Sequence, residues 1–520
     1  MESLGIDDNT AVVPPQSLAE QSGSEQDDAI KITDPEHVHT IIDEVLGMPE
    51  SHRKIKSVHI AMEESRAIEE EEENTIQGAQ GTGAEEKASA ITDLQSSKVT
   101  SPTPAETPKE RTQRLTTPII QLLDAISSAG GSLEEFIWQQ EDWWDSKDCI
   151  RPASFWTALW KHAHTLQTLT LGFYTHELHT VSAPSPPVQF PELKELRLDC
   201  STAHGDAGLA VEAILKESPK LEILEFAYPG CDLETCQIRN ISWDYRFRGL
   251  RELDVQGYDF DSGAFARFLR NHAAVEMFRD GLDGDNQEVE MGMETLPRLE
   301  KLYVTAYTSS RSLRDWFSED AKRPVSHLRV NWRSHRDLED VATGNKVLEC
   351  LEIDGNVGDW RPRDIDSSDE EAAKQENEAQ DNYLPKALKN ILPEMGRLVE
   401  LGVGLDSGNT SRRNGDGTWS SPDAMNATDL KCILSVLPID GQIRALRVWD
   451  PEAEQLSEAF LKDFPAIPDV LEYLCWQGKE SALYDFKRSN GGVEAVRCEM
   501  MKPRSSRGGW SEERILGRLV

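Results

Sequence analysis

Basic residues are scarce in this chain: Lys and Arg number 55 against 93 Asp and Glu, a formal net charge of −38 over 520 residues. Nonspecific DNA or RNA binding and adhesion to anionic lipid both need a basic footprint. The expected partners are therefore proteins, with no direct nucleic acid and no membrane. Long apolar runs are missing too. No stretch approaches the roughly 20 residues of a membrane-spanning helix, and the acidic start, MESLGIDDNTAVVPPQ, lacks the apolar core of a secretory signal. The reading is an intracellular protein, cytoplasmic or nuclear. The eight cysteines stand singly apart from Cys231 and Cys236, with neither metal-pair spacing nor the density of a disulfide scaffold. Structural thiols are expected, Cys350 and Cys475 on outward strand positions and Cys498 on an inward one.

Catalytic signatures are equally thin. No Walker A sequence, nucleophile elbow or dinucleotide fingerprint occurs. His176-Glu177-Leu178-His179 sets its histidines three apart where a zinc-protease helix needs four. Asp280, Asp283, Asp285 and Glu288 lack the glycine and spacing of an EF-hand loop, and Asp416 between Gly415 and Gly417 is turn chemistry. The expectation is a binding protein and not an enzyme, without catalytic residues, cofactor or metal ligands.

What the sequence does contain is a recurring pattern. In FPELKELRLDCS, Phe190 to Ser201, Leu193, Leu196 and Leu198 are spaced as L-x-x-L-x-L, and the spacing returns at Leu166, Leu169, Leu171; Leu221, Leu224, Phe226; and Leu250, Leu253, Val255. It continues through Leu299, Val325, Leu348, Leu398, Ile443 and Leu471 as first anchors, with weaker copies at Leu133, Phe136, Trp138 and at Val493, Val496, Cys498. Val275 with Phe278 is a damaged copy. First anchors lie 27, 28 and 29 residues apart from 166 to 250. Such periods mark a leucine-rich repeat solenoid, an α/β fold of the ribonuclease-inhibitor-like horseshoe type. Each copy reads as a short strand whose second and third anchors point inward, while the positions between them face solvent. One such unit cannot bury its own apolar edge, but stacked units can.

The ends and insertions depart from the pattern. Residues 1–33 read as a disordered acidic tail, and 34–62 as a helix-strand half repeat or a degenerate F-box remnant, with Asp34 as N-cap and Ile55, Val58 and Ile60 as strand anchors. A disordered acidic, Pro/Ser/Thr-rich linker follows over 63–112, then repeats over 113–363, an acidic disordered loop over 364–383, repeats over 384–498 and a basic tail over 499–520. A second loop, Asp406 to Asp423, is rich in Gly, Asn and Ser. Trp143, Trp144, Trp156 and Trp160 are expected to plug an exposed core end more than to bind a ligand. Helices are expected from Thr117, over Ala207 to Glu217, Asp261 to Asn271 and Ser312 to Glu319, each preceding a strand.

The outward strand positions form the candidate binding face. Recognition of a protein usually rests on a few Tyr, Trp or Arg anchors in a polar surround, which singles out Tyr303, Arg329, Trp449 and Tyr473. At FWTALWKHAHTLQTLTLGFYTHELH, Phe155 to His179, followed by FPELKELRLDC, the chain resembles the fungal F-box and leucine-rich-repeat proteins. That resemblance spans roughly Thr117 to Cys498. It implies a substrate receptor of a cullin-type ubiquitin ligase, in which an N-terminal F-box binds the ligase adaptor and the repeats hold a substrate protein. Pro35, Glu36, Val38, Ile41, Ile42 and Leu46 are similar to the start of an F-box, whose second half is here replaced by Ile55 to Ile60 and the acidic linker. The alternative is an acidic repeat protein that binds or shields basic partners such as histones, without ligase association.

Overall fold

The computed structural model describes residues 29–33, 38–62, 108–140, 151–174, 188–202, 207–227, 241–258, 261–283, 294–304, 313, 316–317, 323–331, 335–355, 384–405, 412–413, 419–420, 424–450, 453–462, 464, 467–489, 492–498 and 515. Trp143, Trp144, the His176–His179 motif, Asp285, Glu288, Asp416, the 364–383 loop and most of the 63–112 linker lie outside them. The fold is α/β. It contains an open 16-stranded, mostly parallel sheet whose neighbours follow chain order, and the chain divides into two compact units, Met1–Leu169 and Thr170–Val520.

The first unit begins with β1 (Ala29–Ile32), α1 (Val38–Leu46) and β2 (Ser57–Met62). β1 pairs parallel with β2, burying Ile30 and Ile32. Sequence had assigned residues 29–33 to the acidic tail; four residues alternating exposed and buried are too short a signal to stand out of it. α2 (Pro108–Ser128) starts nine residues before Thr117, inside the expected linker, and carries Pro118 within it. β3 (Glu135–Gln140) pairs parallel with β2, and α3 (Ala153–Trp160) precedes β4 (Thr168–Tyr174), most of whose residues belong to the second unit. Phe155 and Trp156 are buried, the Phe155 ring edge-on to Trp138 at 5.4 Å and to Trp156 at 5.1 Å, with the Arg151 guanidinium over all three rings. This cluster is packed core.

The second unit runs β5 (Glu195–Thr202), α4 (Ala207–Lys216), β6 (Ile223–Ala227), β7 (Glu252–Tyr258), α5 (Ser262–Asn271), β8 (Met277–Asp283), β9 (Lys301–Val304), β10 (His327–Asn331), α6 (His335–Gly344) and β11 (Cys350–Gly355). It goes on through α7 (Leu384–Ile391), β12 (Glu400–Leu405), a separate hairpin β13 (Arg412–Arg413) and β14 (Trp419–Ser420), α8 (Ala427–Val436), β15 (Ala445–Trp449), α9 (Glu458–Lys462), β16 (Tyr473–Gln477), β17 (Ser481–Ser489) and β18 (Gly492–Cys498). Helices start where their caps are: the Asp261 carboxylate accepts from the Ala264 N–H at 2.9 Å, and Asn426 and Asp429 form a reciprocal capping box on α8. Of the expected 312–319 helix only Leu313, Trp316 and Phe317 are described, all buried.

Two constraints set the sheet. Apolar residues alternate along most strands of the large sheet, so Leu224, Leu253, Phe278, Leu302, Leu328, Leu351, Leu401, Leu446 and Leu474 fall in one register row and are at most 1 % exposed. The damaged copy is thus a full strand, β8, with Asp280 standing in the next apolar row between Val255 and Val304. The other constraint is a main-chain device at the entrances of β3, β4, β6 to β12, β15 and β16, where one carbonyl accepts two successive N–H groups at the start of the following strand. The Lys194 carbonyl takes Glu222 and Ile223 at 2.7 and 2.9 Å, and the Arg444 carbonyl takes Glu472 and Tyr473 at 2.8 and 3.0 Å.

Parallel order ends at β16. β17 and β18 pair antiparallel, Phe486 opposite Ala495 and Leu483 opposite Cys498. The reversal changes which residues face in. Ala495 is buried, whereas Val493, Val496 and Cys498 are only half-buried, so Cys498 shares the outward face with Leu483 and Cys475 instead of anchoring the core.

Leu401, in register between Leu351 and Leu446, tests the apolar row. Leu401→Ala is expected to cost about 2–5 kcal/mol in urea unfolding, whereas Ile439→Ala, at a position 82 % exposed, should shift stability by less than about 0.5 kcal/mol.

Candidate functional site

The residues between the apolar anchors share the opposite face of the sheet. In register along the middle row stand Arg197, Glu225, Asp254, Arg279, Tyr303, Arg329, Glu352, Gly402, Arg447 and Cys475. Sequence placed such positions in solvent. In the structure Glu225, Asp254, Arg279, Tyr303, Arg329, Glu352, Arg447 and Cys475 are all buried. Part of the reason is lateral: neighbouring strands lie about 4.8 Å apart, so a long charged side chain reaches its opposite number by lying flat along the sheet.

The pairs follow that geometry. Arg197 Nη1 donates to Glu225 at 2.9 Å and Arg279 Nη1 to Asp254 at 2.7 Å, each between register partners. The Arg279 guanidinium lies 5.5 Å from the centre of the Tyr303 ring, whose edge-on partner at 5.2 Å is His327. Arg329 Nε donates to Asp354 at 2.7 Å. Arg447 on β15 reaches across β12 to Glu352 on β11 at 2.6 Å and also donates to Glu400 at 3.2 Å. The residue in register between Glu352 and Arg447 is Gly402, which has no side chain to stand in the way.

Burial on its own would raise the Glu352 carboxyl, but the Arg447 guanidinium, with His327 and Arg329, holds it down at about 2. The same carboxylates of Glu352 and Glu400 outweigh burial at Arg447 and keep its proton on.

Two groupings invite a chemical reading. His327, Cys350 and Glu352 bring ligand-type atoms within 4.8 Å of one another. A divalent ion there would have to share Glu352 with Arg447, and Arg329 also bears on that carboxylate. With cationic charge already supplied by guanidinium, the donor set does not fit a metal. On β2 and β3, Ser57, His59 and Glu135 meet within 2.7 Å. Here one ring nitrogen, His59 Nε2, faces both the hydroxyl and the carboxylate, and Ser57 donates directly to Glu135. A nucleophile relay needs the two contacts on opposite ring nitrogens, so this is a hydrogen-bonded triangle without that geometry.

The four residues singled out from sequence divide into two places. Tyr303 and Arg329 are buried in the charged network, while Trp449 and Tyr473, on the adjacent strands β15 and β16, are half-buried. Four strands of the sheet separate Tyr303 from Tyr473. Glu400 and Arg279 escaped the sequence reading, Arg279 because its strand was counted as damaged. A further residue, Ile515, lies on this face at β12, β15 and β16, its N–H donating to Glu400 at 2.9 Å. No local sequence pattern marks it. No protein-family model matches the chain, and no curated protein is significantly similar to it.

Breaking the central pair gives a test. Arg447→Met leaves two buried carboxylates without their cation and is expected to cost about 3–5 kcal/mol in chemical denaturation, and Gly402→Val should destabilise by placing a branched side chain between the partners. Because Glu352 is held below its ordinary value of 4.5, its contribution is complete above that value and is lost as pH falls towards 2. Glu352→Gln should therefore flatten the decline of stability between about pH 5 and 2, measured by unfolding at stepped pH.

Proposed function

We propose that the chain is a leucine-rich repeat solenoid serving as a noncatalytic protein-protein interaction scaffold. The observation that carries this reading is the in-register file of charged and aromatic side chains on one sheet face, together with the half-buried Trp449 and Tyr473 on β15 and β16 of the same face. The strand-entrance carbonyl recurring from Lys56 to Arg444 supports the repeat assignment, since it gives successive units one geometry despite crossovers of unequal length.

The partner is a basic protein, favoured by the net charge of −38. The second reading, a substrate receptor of a cullin-type ubiquitin ligase, rests on the family resemblance. Against an F-box at 34–62 stands the order β1, α1, β2: the helix joins two parallel strands, as a repeat unit would.

Copurification of tagged full-length chain tests both. A basic protein that elutes with salt, and whose recovery falls severalfold in Trp449→Ala/Tyr473→Ala, is the expected result; hot-spot anchors each carry roughly 2 kcal/mol or more. Recovery of cullin and adaptor subunits would establish the receptor role. A partner retained undiminished by the double variant would remove this face from the reading.

A further inference from the structure

Ala445 is the smallest residue of its row. Its register neighbours are Glu400 on one side and Tyr473 on the other, and a strand position with only a methyl group between two larger side chains is a hollow. Ile515 fills it. The Ile515 side chain packs with Ala445 and Cys475, flanked by Tyr473 and Leu483, while its main-chain N–H donates to Glu400 Oε1 at 2.9 Å. Ala445 is 0 % exposed, Cys475 4 % and Ile515 5 %. The contact lies 115 residues along the chain from Glu400, so it is not imposed by local geometry. It combines an apolar socket with one fixed acceptor, and Glu400 is itself held by Arg447 at 3.2 Å. Together these features recognise a branched aliphatic residue whose backbone amide points towards the carboxylate.

We infer that this hollow on β12, β15, β16 and β17 is a docking site for a chain segment presenting a branched aliphatic side chain and an amide N–H, and that Ile515 is its resident, displaceable occupant. The inference rests on the protein-binding reading of the strand face and adds regulation to it. A partner that uses this end of the face has to compete with a segment tethered to the same chain, whose effective concentration is high. Tyr473 is then a wall of the socket. Trp449 lies on the same strand as Ala445.

Thiol labelling tests this in the full-length chain without any partner. Maleimide labelling mapped by mass spectrometry follows Cys475 in the hollow, with Cys350, 0 % exposed on β11 and in register with Glu400, as a monitor of the same buried face beyond the hollow. In the wild-type chain both should react slowly. Ile515→Asp, which puts a charge into the socket beside Glu400, should speed Cys475 by roughly tenfold or more while leaving Cys350 slow. Ile515→Val should behave as wild type. A peptide of residues 509–520, GWSEERILGRLV, added in trans should restore protection of Cys475 in Ile515→Asp, and the same peptide with aspartate for the isoleucine should not. Cys475 as slow in Ile515→Asp as in wild type would overturn the inference, as would failure of the peptide to protect. If Ile515→Asp also exposes Cys350, Ile515→Ala decides: fast Cys475 with slow Cys350 supports displacement, whereas both fast makes Ile515 a fixed part of the packing of the whole face and ends the proposal. Because labelling needs no partner, its failure leaves the copurification result intact, and an undiminished partner there leaves the socket intact.

Discussion

One carbonyl accepting two successive N–H groups, repeated at strand after strand, is the contact on which the sheet depends. It fixes where each strand enters relative to the one before, and so places every following side chain in its row. The crossovers between those entrances differ greatly: Ser326 to Glu349 is short, whereas Glu349 to Val399 carries α7 and the acidic stretch, yet the two entrances have the same hydrogen bonds to within 0.1 Å. Insertions can therefore accumulate between strands without shifting register. A one-residue slip would exchange the apolar rows for the charged ones, which makes the entrance contact and the leucine rows mutually reinforcing.

The charged face adds a different kind of information. An ion pair with both partners buried gains little net stability over an apolar pair of similar size, because desolvating the charges offsets most of their attraction. Its value lies in being intolerant of the wrong neighbour. Arg279 has Asp254 beside it only when β7 and β8 align as they do, and Arg447 reaches Glu352 only because the strand between them contributes a glycine at that position. The pairs discriminate between strands whose leucines are otherwise interchangeable.

This explains which parts of the structure were readable in the amino-acid sequence. Apolar rows are local, decided by three anchors within six residues, and so β5, β6, β7, β9, β10, β11, β12, β15 and β16 stand where the pattern puts them. The burial of the outward face was not readable, since it depends on partners brought together from distant positions: Glu352 and Arg447 are 95 residues apart, and Glu400 and Ile515 are 115 apart. β1 was missed because two buried isoleucines in an acidic stretch carry too little periodicity. The Val493, Val496, Cys498 copy misled because the anchor spacing is silent about strand direction. Of the candidate site, Trp449 and Tyr473 were legible as partly accessible aromatics, whereas Tyr303 and Arg329 were legible only as outward positions, without the Arg279, His327 and Asp354 side chains that enclose them.

The antiparallel turn from β16 into β17 has a consequence for size. A parallel sheet contains nothing that limits its own number of strands, where a strand offers its successor an entrance carbonyl and an apolar row. By sending the chain back along β16, the β17–β18 hairpin presents strands of opposite polarity, and among the described residues the two-hydrogen-bond entrance has no counterpart there. The hairpin is in that sense a stop codon written in backbone direction: it terminates the parallel order of strands by geometry, at a place where the leucine spacing alone would have allowed another.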